Sequence, residues 1–209
     1  MMKHELDFEL IVLWSSNPPA NLRPVENPDY HTIDLTAGQT QSMTSKSGAL
    51  SIYDCLSWFS SEETLTGNDK WYCPRCKQHQ NALKKMEVYR SPEFLIVHLK
   101  RFSHSRHSFF SSRKIGELID FPAEGDTLDL TQYVLSNKKG EKLHYDLYAV
   151  SNHFGSLNGG HYTAYCQNPI DKKWYDCDDS DVSRMNGSNA VTKAAYVLFY
   201  RRRPTTGKR

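Results

Sequence analysis

At 209 residues, with 38% hydrophobic and 12% aromatic content, the chain has enough apolar material for one domain or one large lobe of a bigger one. Its net charge of +2 is carried by scattered basic residues. No basic stripe with interleaved aromatics is present, so a nucleic-acid partner is not expected. No run of about 18 apolar residues occurs either, so neither a membrane-spanning helix nor a membrane partner is expected.

Residues 1–14 alternate Leu6, Phe8, Leu10 and Val12 against Asp7 and Glu9, then turn apolar at Ile11 and Leu13. That pattern predicts a strand half exposed at its start and buried at its end. The apolar stretch is too short, and too acidic at its front, for a signal peptide. The doubled Met suits a chain that begins inside a longer protein. Residues 15–50 run through Asn17-Pro18-Pro19, Asn27-Pro28 and a Thr/Ser/Gln/Gly-rich stretch, the composition of a flexible connection.

Order resumes at Ser51, which with Asp54 forms a capping pair ahead of Ile52, Cys55, Leu56 and Phe59 at helical spacing. The helix is predicted to end near Ser60-Ser61. Gly67-Asn68-Asp69 reads as a turn leading into Trp71-Tyr72-Cys73-Pro74-Arg75-Cys76. Phe94–Leu99 is a nearly continuous apolar run, bounded by Pro92 and Lys100-Arg101, and predicts a central strand. Four more strands are expected over 144–150, 161–167, 172–176 and 194–201. The basic tail Arg201-Arg202-Arg203 reads as a solvated end.

The chemistry is concentrated in Gly159-Gly160-His161-Tyr162-Thr163-Ala164-Tyr165 and Trp174-Tyr175-Asp176-Cys177-Asp178-Asp179. A thiol protease needs an imidazole to take the thiol proton and return it to the leaving amine. It also needs an acceptor that fixes the imidazole tautomer. His161 begins one predicted strand, after two glycines that let a substrate backbone approach closely. Asp178 ends another, reached through Asn168-Pro169-Ile170-Asp171, and antiparallel pairing of the two strands would bring His161 and Asp178 together.

None of the five cysteines suits the role of nucleophile. Alternation places His161, Thr163 and Tyr165 on one strand face and Tyr162, Ala164 and Cys166 on the other, so Cys166 points away from His161. The same parity separates Cys177 from Asp178. Cys55 lies on the apolar helix face, where a free cysteine behaves as a small hydrophobe. Cys73 and Cys76 form a C-x-x-C pair, two thiolates on a tight turn and half of a tetrahedral zinc site. His79 is a conceivable third ligand, but a solvated histidine is the preferred reading. Two unliganded reduced cysteines remain an alternative. The odd cysteine count favours a reducing compartment, hence a cytoplasmic or nuclear location.

Residues from about 50 to 203 resemble the C-terminal half of the catalytic domain of ubiquitin-specific proteases, the papain-like deubiquitinases. The resemblance is carried by Asp54-Cys55-Leu56 with Phe59, by Trp71–Cys76, and by His98-Leu99-Lys100-Arg101-Phe102. It continues through Tyr148-Ala149-Val150, His153-Phe154-Gly155 and Gly160–Tyr165. Trp174-Tyr175, Asp178-Asp179-Ser180 and Lys193–Tyr200 complete it. The best likeness is to members whose catalytic domain is split by a long insertion.

The resemblance implies an α+β, papain-like cysteine protease lobe, mainly an antiparallel palm sheet with a short helix and half of a zinc ribbon. It divides the chain into 1–50, the end of an insertion or linker; 51–203, the C-terminal half of the catalytic domain; and 204–209, a tail. It implies His161 as general base, Asp178 as its orienter and Asp179 as an auxiliary polar group near the oxyanion. The nucleophilic cysteine, and the second C-x-x-C that would share zinc with Cys73 and Cys76, belong to a missing N-terminal half. This chain alone is therefore expected to be inactive. The implied partners are ubiquitin, ubiquitinated proteins and that N-terminal half. Loops Ser103–Lys114 and Asn152–Gly160 resemble the blocking loops over the channel for the ubiquitin tail, with the glycines at 155, 159 and 160 permitting a conformational switch. A non-catalytic ubiquitin-binding or scaffold module is the alternative.

Overall fold

The computed structural model describes residues 50–103, 113–137 and 141–204. The strand expected over 1–14, the connection before residue 50, and the stretch 104–112 with His104 and His107 lie outside the described residues, as do 205–209.

The first elements are β1 (Leu50–Ser51) and α1 (Ile52–Phe59). The expected capping pair is complete: the Asp54 backbone N–H donates to Ser51 Oγ at 3.2 Å, and the Ser51 N–H donates back to Asp54 Oδ2 at 2.8 Å. Two helix-terminal donors are thereby satisfied, and the helix stops at Ser60 as expected. Its apolar face, Ile52, Cys55 and Leu56, joins Leu95, Val97, Leu128 and Val134 in one buried cluster. Each such side chain removed from water contributes about 1.5–3 kcal/mol.

Four short strands follow: β2 (Glu63–Leu65), β3 (Trp71–Cys73), β4 (Gln78–Gln80) and β5 (Ala82–Lys84). They pair as two separate antiparallel ribbons, β2 with β5 and β3 with β4. Next come β6 (Phe94–His98), β7 (Phe102–Ser103), β8 (Arg113–Lys114), β9 (Ile119–Asp120) and β10 (Leu128–Asp129). The chain then enters its long strands: β11 (His144–Ser156), β12 (Gly159–Gln167), β13 (Trp174–Asp178), β14 (Asp181–Met185) and β15 (Ala195–Arg202).

The main sheet runs β14-β13-β12-β11-β15-β6, every pairing antiparallel, with β10 also on β11. Its mixture with one helix is the α+β class expected. Three details differ from the sequence reading. The 94–99 run is at the end of the sheet in the described residues, not at its centre. Leu95, Val97 and Leu99 are buried while Phe94 is 40% exposed, so the run is one-sided despite its apolar composition. Strand β14 was not expected, because Asp-Val-Ser-Arg-Met offers no apolar face and four of its five residues are exposed.

The third difference is Arg101 and the basic tail. Arg101, which bounds the 94–99 run, is fully buried. Its Nε donates to the Ala195 carbonyl at 2.7 Å, and Nη1 donates to the carbonyls of Ile115 at 3.1 Å and Glu117 at 2.8 Å. In the basic tail Arg201 and Arg203 are exposed as expected, yet all three arginines are ion-paired. Arg202 pairs with Glu141, Arg203 holds Asp146 at 2.7 Å, and Arg201 approaches Glu93 at 3.7 Å.

Candidate active site

Strands β11 and β12 form a hairpin in register from Ala149↔Cys166 to Ser156↔Gly159, leaving only Leu157 and Asn158 as its turn. The stretch Asn152–Gly160 is therefore mostly paired strand. Polar composition hid this, because Asn152 and His153, on opposite faces of the strand, are both buried. Asn152 Nδ2 donates to Thr163 Oγ1 across the hairpin at 3.3 Å. His153 stacks edge-on against Phe102 at 5.2 Å and lies 4.8 Å from the Tyr162 ring. Burial, then the nearby Lys114 charge, lowers its pKa, which favours the uncharged ring in this packing position.

The glycines answer to the same hairpin. A Cβ on Gly160 would overlap both His153 Nε2 and the Phe154 carbonyl oxygen. Gly155 has φ +110°, and a Cβ there would lie 2.5 Å from the Gly159 oxygen. The space beside Gly160 is thus filled from within the chain rather than kept for a substrate backbone. Of these three, only Gly159 opens on free space.

Strand β12 carries His161 and β13 carries Asp178, and the antiparallel pairing expected of them is present, with Ala164 opposite Cys177. His161 Nε2 is in hydrogen-bond contact with Asp178 Oδ1. That bond, then the Asp178 charge, raises the His161 pKa, and Asp179 adds a smaller push in the same direction. With Nε2–H donating to the carboxylate, Nδ1 is left as the free, basic nitrogen. Asp179 follows in the tight turn to β14 with φ 49°, a left-handed conformation that Asp tolerates better than most residues. Its carboxylate joins the His161 imidazole and the Asp178 carboxylate in a group whose ligand atoms all lie within 4.8 Å of one another. Sequence reasoning did not single out Asp176. It shares the Asp178 face of β13, has a buried Oδ1 with no partner among the described residues, and has a pKa raised by burial and by Asp178 and Asp181.

All five cysteines lie among the described residues and are free thiols. Cys166 and Cys177 touch each other, Sγ to Sγ 3.6 Å, on the face opposite His161. Cys55 is buried in the helix face, where desolvation pushes its thiol up to about 12. Cys73 ends β3 and Cys76 lies within the β3–β4 turn, in which Lys77 (φ 56°) returns its N–H to the Cys73 carbonyl at 2.8 Å. The Cys73 pKa is lowered, chiefly by the Cys76 backbone N–H, then by the Cys76 side chain and the Arg75 backbone N–H. A turn that aims N–H groups at sulfur favours the thiolate that a metal would need. His79 faces elsewhere: it pairs across the ribbon with Tyr72, rings 5.3 Å apart, and its Nδ1 lies 3.2 Å from the Lys70 carbonyl.

Comparison with known proteins gives a consistent picture. Residues 35–200 match the family described as ubiquitin carboxyl-terminal hydrolase. The chain is 45% identical over 175 residues to ubiquitin carboxyl-terminal hydrolase 10 of Arabidopsis thaliana, covering 84% of this chain and 18% of that protein. It is 47% identical over 152 residues to ubiquitin carboxyl-terminal hydrolase 15 of Homo sapiens, covering 73% of this chain and 15% of that protein. Among solved structures it resembles the SAGA Ubp8/Sgf11/Sus1/Sgf73 DUB module bound to ubiquitin aldehyde, with TM-score 0.61 and 29% identity over 75% of this chain and 34% of that one. It also resembles a yeast SAGA DUB module carrying a mutant Sgf73, with TM-score 0.61, 30% identity and the same coverage. The chain thus spans less than a fifth of the length of these curated relatives.

Proposed function

The chain belongs to the ubiquitin carboxyl-terminal hydrolase family, and we propose that it supplies the base half of a cysteine-type deubiquitinase site. In this reading the substrate is the isopeptide bond after the ubiquitin C-terminus, and the thiol comes from residues outside this chain. His161 Nδ1 takes the thiol proton, and the thiolate attacks the carbonyl carbon. The imidazolium then delivers its proton to the departing lysine amine. Water, activated by the same nitrogen, releases ubiquitin from the thioester. Asp178 holds Nε2–H throughout and favours the imidazolium, while Asp179 is the polar group that assists the oxyanion. The observation that carries this reading is the His161–Asp178 contact on paired strands, with no cysteine of the chain on the same face.

Cys73 and Cys76 would hold half of a structural zinc, completed by two thiolates from the missing N-terminal half. Zinc would supply no chemistry to the reaction; it would tie the β3–β4 ribbon to that half. Five free cysteines fit a reducing compartment, cytoplasm or nucleus.

A complementation assay tests the proposal. The 209-residue chain alone should not turn over a ubiquitin–fluorophore substrate, and adding the N-terminal half should restore turnover. His161→Ala should abolish the restored activity while ubiquitin binding persists. A scaffold module would instead bind ubiquitin with or without His161 and show no turnover in either mixture. Turnover by the isolated chain that is lost in Cys166→Ala would overturn the assignment of the thiol.

A further inference from the structure

The Cys166–Cys177 contact is not used by the proposed chemistry, yet it is built into the two strands that carry the site. The β12–β13 register sets Ala164 opposite Cys177 and Cys166 opposite Tyr175, so the two cysteines are diagonal neighbours on one sheet face. Their sulfurs are 3.6 Å apart and both residues are only half-buried, within reach of a small oxidant. Cys177 is bonded directly to Asp178, which grips His161 from the next strand. The other three cysteines stand in α1 and at the β3–β4 turn.

We propose that Cys166 and Cys177 are a reversible redox site, which a peroxide closes to a disulfide and which thereby loosens the hold of Asp178 on His161. One sulfur attacks the peroxide O–O bond, becomes a sulfenic acid and releases water. The second sulfur attacks the sulfenyl sulfur and expels a second water. Two thiols and one hydrogen peroxide thus give one disulfide and two waters, the peroxide being reduced and each sulfur oxidised. Burial, then the contact with Cys177, pushes the Cys166 thiol up to about 11, which keeps it protonated and slows its attack, so closure needs a sustained dose of peroxide.

Closure moves the active strands. The sulfurs must approach by about 1.5 Å to reach bonding distance. Diagonal partners in an antiparallel pair have Cα atoms about 7–8 Å apart, beyond the usual disulfide range, so β13 must shear along β12. His161 and Asp178 ride on those same two strands, and the shear displaces one against the other. A bond made under such strain is readily reduced, which makes the change reversible. The bond itself is independent of the proposed deubiquitinase function; its consequence rests on His161 being the base.

The test uses the 209-residue chain treated with hydrogen peroxide and analysed without reduction. Lys172 and Lys173 lie between the two cysteines, so trypsin leaves two peptides joined only by the new bond. The expected result is that linked pair, with a mass loss of about 2 Da, reversed by a dithiol reductant. Titration of His161 by NMR should show its raised pKa shifting down on oxidation and recovering on reduction, with Cys166→Ala unresponsive. Sulfinic acids in place of the linked pair would overturn the site. A linked pair with an unmoved His161 titration would overturn the coupling, and neither result depends on deubiquitinating activity.

Discussion

His161 is an exposed imidazole whose behaviour is set by one carboxylate. Because the Asp178 hydrogen bond is the first cause of its raised pKa, Asp178→Asn should bring the His161 titration back towards 6.5, measured by NMR. An unchanged titration would transfer the cause to Asp179. In the complemented enzyme, Asp178→Ala should cost less turnover than His161→Ala, since the orienter acts through the base. The pH dependence follows from the direction of the shift. A folded-state pKa raised above the unfolded value means that the pair stabilises below the unfolded value. That stabilisation is lost as pH rises through the folded one. Melting of wild type and His161→Ala should therefore differ more at about pH 5 than at about pH 8.

Among the elements, the β11–β12 hairpin fixes where His161 stands. Gly160→Ala would drive a methyl into His153 Nε2 and the Phe154 oxygen, and must open the hairpin or expel the His153 ring. The expected cost is about 1–3 kcal/mol by thermal or urea unfolding, with loss of the His161–Asp178 coupling as well. A variant as stable as wild type would show that the hairpin is looser than its register implies. Where local physics decides, the sequence was a good guide: the Ser51–Asp54 cap needs only residues three apart, and period-two alternation suffices to set Cys166 away from His161. It failed where distant partners decide. Asn152 and His153 resemble a loop until Thr163 and the aromatic cluster surround them. Similarly, β14 has no apolar period because backbone pairing holds it to β13 and, of its side chains, Met185 alone is half-buried against the core. Arg101 marks only the end of an apolar run in the sequence, and its burial follows from the carbonyls of Ile115, Glu117 and Ala195 that converge on it.

Taken whole, the described residues comprise a packed main sheet and two small ribbons, β2–β5 and β3–β4, whose side chains are mostly exposed, including Trp71 and Tyr72 at 50% each. Structural zinc stabilises through four ligands, and Cys73 and Cys76 supply two. The isolated chain should bind zinc weakly, and metal analysis after adding the N-terminal half should find one zinc per complex. Stoichiometric, chelator-resistant zinc in the chain alone would remove the need for outside ligands. The buried guanidinium of Arg101 has a consequence of a different kind, in the order of folding. Its acceptors lie 14, 16 and 94 residues along the chain, the last on β15, so the charge can leave water only after the final strand has docked. Arg101→Met would strand those carbonyls and cost about 2–4 kcal/mol. In a denaturant chevron that loss should fall almost entirely on the unfolding limb, leaving the refolding rate near that of wild type. Arg101 would then act as a latch on the finished molecule, lengthening the lifetime of the native state without hastening its formation.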